Sequence, residues 1–251
     1  MQVILLAAGM GLRLGPLTRT TPKAMVPLNG QPLIDHTLPH LLSNKRVSEV
    51  LVVGGFEFEN LERHLRENYV PFGDRIQLLR NPDFTKGNLT TALAALPSIE
   101  GSFLLCNVDH IYTEATWRLI LQERAQVTIF CDFFRDFAAD EMKVFLDDAK
   151  RLQAMSKQLT EYDCAYVGLT YVPSLEVTAY RQAFQKAADR FGDKAVVEQV
   201  LPEMAALGHE IQVVPFDKHR WYEVDTREDL ASAERAIVSE TADDLEKGKW
   251  R

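Results

Sequence analysis

Cysteine is scarce in this chain: Cys106, Cys131 and Cys164 are its three, far apart and with no CxxC pair among them. Neither a disulfide framework nor a zinc site is indicated, so all three are expected to be small core residues of a protein from a reducing, cytoplasmic compartment. Long apolar runs are missing as well; none approaches the roughly 20 residues that span a bilayer. Basic clusters are absent, and 28 Lys and Arg face 36 Asp and Glu for a net charge of −8. Such a chain is a poor nonspecific partner for nucleic acid or an anionic membrane surface. No basic leader precedes the apolar start Met1-Gln2-Val3-Ile4-Leu5-Leu6 and no small-residue cleavage site follows it, so a buried strand is expected there rather than a signal peptide. Internal repeats and linkers are lacking too. With 251 residues, 46% apolar and 25% charged, the chain has the composition of an ordinary globular domain.

Short apolar runs at Val3–Ala7, Val50–Val53, Ile76–Leu79, Phe103–Cys106 and Val127–Cys131 alternate with helix candidates at Pro32–Leu42, Asn60–Glu67, Asn88–Leu96 and Glu114–Arg124. Near-continuous apolar strands joined by helical crossovers predict an α/β fold, a doubly wound, mainly parallel, Rossmann-like sheet covered on both faces. Pro39 should kink or delay the first helix. After Asp132 the rhythm changes. Lys143–Asp147 and Arg151–Met155 alternate about a turn at Asp147-Asp148-Ala149-Lys150, which predicts a small inserted β-hairpin. A strand at Ala165–Val172, helices at Leu175–Arg190 and Val196–Leu207, and strands at Ile211–Pro215 and Arg220–Val224 follow. A last helix, with Thr226 as N-cap and Glu228 and Asp229 in its first turn, closes a single domain over 1–238. Residues 239–251 read as a polar tail.

The most informative segment follows the first strand. Gly9, Gly11 and Gly15 miss the Gly-x-Gly-x-x-Gly dinucleotide spacing by one residue, and no Gly-x-x-x-x-Gly-Lys-Ser/Thr phosphate loop occurs anywhere. Pro16, Pro22 and Pro27 prevent one long helix from starting here. What remains is a long loop with Arg13 and Lys23 beside backbone amides that glycines leave open to phosphate oxygens, an arrangement that suits a triphosphate. Asp109 and Asp225 each end a predicted strand. Singly they read as turn or cap residues; beside a phosphate loop they could share one hard cation.

From Leu6 to Ile34 the sequence LAAGMGLRLGPLTRTTPKAMVPLNGQPLI resembles the signature of the sugar-phosphate nucleotidyltransferase superfamily: Gly-x-Gly-x-Arg, then Pro-Lys, then Pro and Gly. The resemblance implies the nucleotide-diphospho-sugar transferase fold. It implies that Leu6, Ala7, Ala8, Gly9, Met10, Gly11, Arg13 and Lys23 wrap a nucleoside triphosphate. Asp109 and Asp225 match the aspartates that hold Mg2+, and Arg13, Lys23 and Asp109 become the catalytic set. Asn81, Gly87 and Asn88, in Asn81-Pro82 and Lys86-Gly87-Asn88-Leu89-Thr90-Thr91-Ala92-Leu93, sit where relatives read the base. This segment is similar to the Asn-x-x-Ser-Leu type of cytidylyltransferases acting on alcohol phosphates, with Thr91 and Ala92 departing from the usual Ser.

Asp140-Glu141-Met142-Lys143-Val144, Ser156-Lys157, Tyr166-Val167-Gly168 and Glu223-Val224-Asp225-Thr226 resemble further segments of that group, whose members act on phosphocholine, inositol-1-phosphate or aminoethylphosphonate. Asp109-His110-Ile111-Tyr112 is most like the inositol-phosphate members. The acceptor side is then about 132–218, with Lys157, Tyr166 and Glu223 as acceptor-binding residues. Phe133, Phe134, Phe137, Tyr162, Trp221 and Tyr222 are further candidates for its wall or for the core. His110 is expected to support Asp109 rather than act as a base. Ala165 stands where several relatives carry an acidic residue, which weakens a reading of amine recognition or of a second metal there. The partners implied are CTP and a small phosphorylated acceptor, with no nucleic acid and no membrane insertion; a homodimer is compatible. A sugar-1-phosphate uridylyl- or other nucleotidyltransferase, and a silent nucleotide-binding regulator, are the alternative readings.

Overall fold

The protein is described by a computed structural model over residues 1–134, 137, 141–216 and 221–246, with side chains through Ile237 in the last segment. In chain order the strands are β1 (Gln2–Ala7), β2 (Pro27–Leu28), β3 (Gln31–Pro32), β4 (Glu49–Gly54), β5 (Ile76–Arg80), β6 (Phe103–Asn107), β7 (His110–Tyr112), β8 (Val127–Asp132), β9 (Lys143–Leu146), β10 (Leu152–Ser156), β11 (Cys164–Val172), β12 (Ile211–Pro215) and β13 (Trp221–Glu223). The α-helices are α1 (Leu38–Ser43), α2 (Phe58–Asn68), α3 (Leu89–Ala95), α4 (Glu114–Ile120), α5 (Val177–Phe191), α6 (Val200–Ala206) and α7 (Arg227–Glu246).

A parallel run β6-β1-β4-β5, with β5 at the edge, forms one side of a mixed sheet. The long strand β11 lies antiparallel to β6, then crosses over to the β9–β10 hairpin, while its other edge pairs with β8, which is parallel to β12. The alternation of β1 explains why the sheet is buried on both faces. Ile4 and Leu6 point into one core with α3, α5 and α6, while Val3, Leu5 and Ala7 point into another with α1, α2 and α4. Each such side chain contributes roughly 1.5–3 kcal/mol by leaving water, so a run apolar at every position forms a central strand. A third cluster, Leu14, Val26, Leu28, Leu33, Ile111, Val224, Leu230 and Ala233, packs the glycine-rich loop and α7 against the small sheet β7–β13.

The departures from expectation have local causes. Leu33–His36 is a 3-10 turn and α1 begins only at Leu38, because Pro39 belongs in a first turn, where its missing N–H is not needed. Helix α4 ends at Ile120, where Arg124 donates to the carbonyls of Leu119 in the last turn and of Gln122 just past it. The strand expected at Arg220–Val224 is reduced to β13 among the described residues and joins β7, not the central sheet. Helix α7 continues through Glu246, past the expected end at Val238, since neither Gly nor Pro interrupts 239–246. Asp140 and the end of the expected tail, 247–251, lie outside the described residues. The hairpin turn is as expected: Lys150 is left-handed at φ 61°, and Asp147 Oδ1 accepts the N–H groups of Ala149 and Arg151.

Candidate active site

The carboxyl ends of β1 and β6 lie side by side and open into a cavity of about 300 Å³. Behind β1, Gly11 takes a left-handed φ of 63°, where any side chain would also press on Thr18 and Lys23. Its carbonyl accepts from Thr18 Oγ1 at 2.8 Å and from the Leu14 N–H at 2.9 Å, so the loop folds back on itself. The returning chain brings the Lys23 side chain, only 7% exposed, to the cavity. Its ammonium is ion-paired with both Asp109 and Asp225, and Arg13, half exposed at the rim, holds the other oxygen of Asp225.

The small sheet β7–β13 makes this meeting possible. His110 pairs with Glu223 across it, and the Val224 N–H donates to the Asp109 carbonyl at 3.0 Å, so Asp109 and Asp225 flank one edge. Helix α7 is capped without either carboxylate. Thr226 Oγ1 accepts the Asp229 N–H at 3.1 Å, and Asp229 Oδ2 accepts the Thr226 N–H at 2.8 Å. This is a capping box closed by Asp in place of Glu, and it leaves the Asp225 side chain free to face Lys23.

Burial alone would raise the Asp109 carboxyl and lower the Lys23 ammonium; their mutual attraction wins in both, holding Asp109 well below the usual carboxylate range and Lys23 above its ordinary value. Two carboxylate oxygens that converge on one ammonium are within reach of a single cation. Hard oxygen donors in pairs suit Mg2+, which binds through one or two carboxylates with phosphate oxygens filling its shell, so the residues present fit that metal. No cluster of three or more metal-ligating side chains occurs among the described residues.

Of the nucleotide-side residues expected from the sequence, Leu6, Ala8, Gly9, Lys23 and Asn88 line the cavity. Ala7 faces the core below, and Met10, Gly11 and Arg13 belong to the loop around the mouth. Asn81 and Gly87 do different work. The Asn81 amide is buried and donates to Thr90 and Thr91 while accepting the Asp83 N–H, which fixes the shape of the 81–91 loop. Gly87 lies so close to the Ala195 carbonyl that a Cβ would overlap it, and its N–H donates to the Asp193 carbonyl at 2.8 Å.

Of the residues expected on an acceptor side, Lys157, Tyr166 and Glu223 all reach the cavity wall, as does Trp221. The other aromatic candidates do not. Phe133 packs on the core, Phe134 is 70% exposed, Phe137 and Tyr162 contact each other, and Tyr222 packs beside α7. Lys86, from the Lys86–Leu93 segment, lines the cavity too, as do Phe84 and Glu198, which no motif marked. Glu198 had a signal, an acid inside the apolar run Ala195–Val200. Burial pushes its carboxyl up, with Lys157 and His110 opposing.

A family model described as a MobA-like NTP transferase domain matches residues 3–163, more than half of the chain. The chain belongs to this family. Among relatives of this NTP transferase, the bifunctional IPC transferase and DIPP synthase of Archaeoglobus fulgidus is 28% identical over 95% of the chain. The chain spans 44% of that relative's own length, so it corresponds to one part of it. The 2-aminoethylphosphonate cytidylyltransferase of Lancefieldella rimae is 26% identical, over 94% of the chain and 92% of the relative. Among solved structures, the inositol-1-phosphate CTP transferase from T. maritima superposes with a TM-score of 0.76 at 19% identity, covering 93% of this chain and 96% of that one. This agreement establishes the nucleotide-diphospho-sugar transferase fold, central mixed sheet and flanking helices included. No helix among the described residues is long and apolar enough to cross a membrane.

The NTP transferase cavity carries a titration that stability measurements can read. Burial pushes the Glu223 carboxyl up to about 7, with His110 opposing and Asp109 and Asp225 adding to the rise. The folded protein therefore keeps this proton to about pH 7, whereas an ordinary glutamate releases it near 4.5. Stability from this group is complete below the lower value and is lost as pH rises through the upper one. In EDTA, the wild type is expected to lose up to roughly 3 kcal/mol across that window relative to Glu223→Gln. His110, also raised, loses stability in the same direction but is present in both proteins. Parallel curves of melting temperature against pH would remove the assignment.

Proposed function

We propose that the protein is a Mg2+-dependent cytidylyltransferase that joins the CMP unit of CTP to a small phosphoalcohol or phosphonate and releases pyrophosphate. The observation that carries the proposal is the Lys23–Asp109–Asp225 cluster in a cavity that Lys157 also lines. The relative named as a 2-aminoethylphosphonate cytidylyltransferase supports the acceptor class, and the Asn81–Leu93 segment supports CTP.

In the reaction an acceptor oxygen forms a bond to the α-phosphorus as the bond from that phosphorus to the α–β bridging oxygen breaks, and pyrophosphate departs with the bonding electrons. The obstacle is repulsion: unit charges about 4 Å apart cost roughly 4 kcal/mol each pair at an effective dielectric of 20. Bound Mg2+ supplies charge neutralisation at the phosphates. Lys23 and Arg13, released from their carboxylates when phosphate arrives, hold the triphosphate oxygens and the developing pyrophosphate. Lys157 holds the acceptor phosphate, oriented toward the α-phosphorus. Glu223 and Glu198 line the acceptor portion and accept hydrogen bonds from its hydroxyl or amino groups. No general base is needed, because a phosphate monoester is mostly ionised at pH 7, its second pKa being about 6. His110 is accordingly not required as a proton acceptor.

Pyrophosphate release with MgCl2, crossing CTP, UTP, ATP and GTP against phosphocholine, inositol-1-phosphate, aminoethylphosphonate, glycerol-3-phosphate and hexose-1-phosphates, tests the reading. Release with CTP and one phosphoalcohol or phosphonate is expected. UTP with a hexose phosphate would replace it by a sugar nucleotidyltransferase, and CTP binding without turnover on any acceptor would favour a regulatory role. Lys157→Ala is expected to raise the acceptor KM about 10- to 100-fold, the loss of one charged hydrogen-bonding partner, with the CTP KM within about threefold. An unchanged acceptor KM removes Lys157 from this role.

A further inference from the structure

Asp109 divides its two oxygens. Oδ2 pairs with the Lys23 ammonium, while Oδ1 lies 2.8 Å from His110 Nδ1. A carboxylate whose other oxygen is ion-paired with an ammonium accepts only, so the proton of this bond sits on Nδ1 and His110 donates. The neighbouring structure holds the imidazole in this orientation. The indole of Trp221 stacks on it at 5.5 Å with the planes 1° apart, and the indole N–H is itself fixed on Asp132 Oδ2 at 3.2 Å. On another side lies Gly168, where β11 changes partner and the backbone takes φ 76°. A Cβ there would stand 2.8 Å from His110 Nε2 and 2.9 Å from its Cδ2. His110 is buried, its ring held between Trp221 and the backbone of Gly168.

We infer that His110 is the positioning residue of Asp109: by donating Nδ1–H to Oδ1 it locks the carboxylate rotamer, so that Oδ2 faces the point shared with Asp225 where the divalent cation is held. The inference rests on the metal reading of Asp109 and Asp225. It assigns the slot formed by Trp221 and Gly168 a purpose, because a free Asp109 side chain would rotate and spend part of its time off that point. Hydrogen-bond partners of ligating carboxylates typically contribute 10- to 100-fold in metal affinity.

His110→Asn and His110→Phe separate the donor from the ring. The Asn Nδ2 takes the place of Nδ1, attached to Cγ alike, and keeps the donor without the imidazole; Phe fills the slot and stacks on Trp221 but donates nothing. Mn2+ binding to each protein, followed by electron paramagnetic resonance with α,β-methylene-CTP at fixed pH, is the readout, with thermal melts in EDTA to confirm folding. His110→Phe is expected to weaken Mn2+ binding about 10- to 100-fold and His110→Asn to stay within about threefold of wild type. Equal affinity in His110→Phe and wild type, or equal losses in both variants, would overturn the inference while leaving the metal reading standing. Absence of Mn2+ binding by the wild type itself would overturn both.

Discussion

Asp109→Asn is expected to lower kcat by about 10³-fold or more, equivalent to some 4 kcal/mol of transition-state stabilisation. The substitution changes neither the size nor the planarity of the side chain, so the fold around it has no reason to move. It changes what the group can accept. If the amide oxygen keeps the His110 hydrogen bond, the amide nitrogen faces the Lys23 ammonium, donor against donor; if it turns, the bond from His110 is lost instead. Either way the pair of anionic oxygens around which phosphates, Mg2+ and Lys23 assemble is reduced to Asp225 alone. Lys23 retains that partner, so a loss of about 1–3 kcal/mol in stability is expected alongside the much larger loss in rate. Turnover within tenfold of wild type, on whichever acceptor proves active, would remove Asp109 from the chemistry.

Lys23→Met should be nearly as severe in rate, about 10²- to 10³-fold, since it removes a preorganised cation from the phosphates. Its more telling effect is on the metal-free protein. Without the ammonium, Asp109 and Asp225 face each other across a partly buried space, with the half-exposed Arg13 and the His110 hydrogen bond left to offset them. Removing one member of a buried charged cluster typically costs about 3–5 kcal/mol, so a clear drop in melting temperature is expected in EDTA. Lowering the pH should restore part of it, because one carboxyl of the pair takes up a proton more readily. Excess MgCl2 should also restore part of it, and raise the melting temperature of the variant by more than that of wild type, in which Lys23 competes with the cation. A variant as stable as wild type in EDTA, and no more responsive to MgCl2, would mean that the cluster neither balances these charges nor holds a metal.

How much of this could be read from the residues differs from element to element. The glycine-rich loop was legible because its cause is local: Gly11 needs a left-handed backbone, and Pro16 and Pro22 break the helix. The central strands were legible because burial on both faces leaves apolar residues at every position. The last helix began where Thr226 and Asp229 placed it, yet its end was misjudged, since a polar run without Gly or Pro carries no stop signal. For Asn81 and Gly87, a sequence does not tell an amide or a glycine left open to a ligand from an amide that meets Thr90 and Thr91 or a glycine that admits the Ala195 carbonyl. Glu198 reaches the cavity from a segment tied to the 81–91 loop by the bond from the Val197 N–H to Asn88 Oδ1, a contact across 109 residues that no local pattern announces.

The sequence by itself determined the order of the elements and the loop after β1, because each follows from interactions between near neighbours in the chain. The tertiary structure alone decided that Lys23, Asp109 and Asp225, separated by 86 and 202 residues from the lysine, share one point. It also decided which oxygen of Asp109 faces that point. The reason is that a carboxylate's direction is set by what surrounds it, here His110, Trp221 and the missing side chain of Gly168, which only the packing of β7, β11 and β13 brings together.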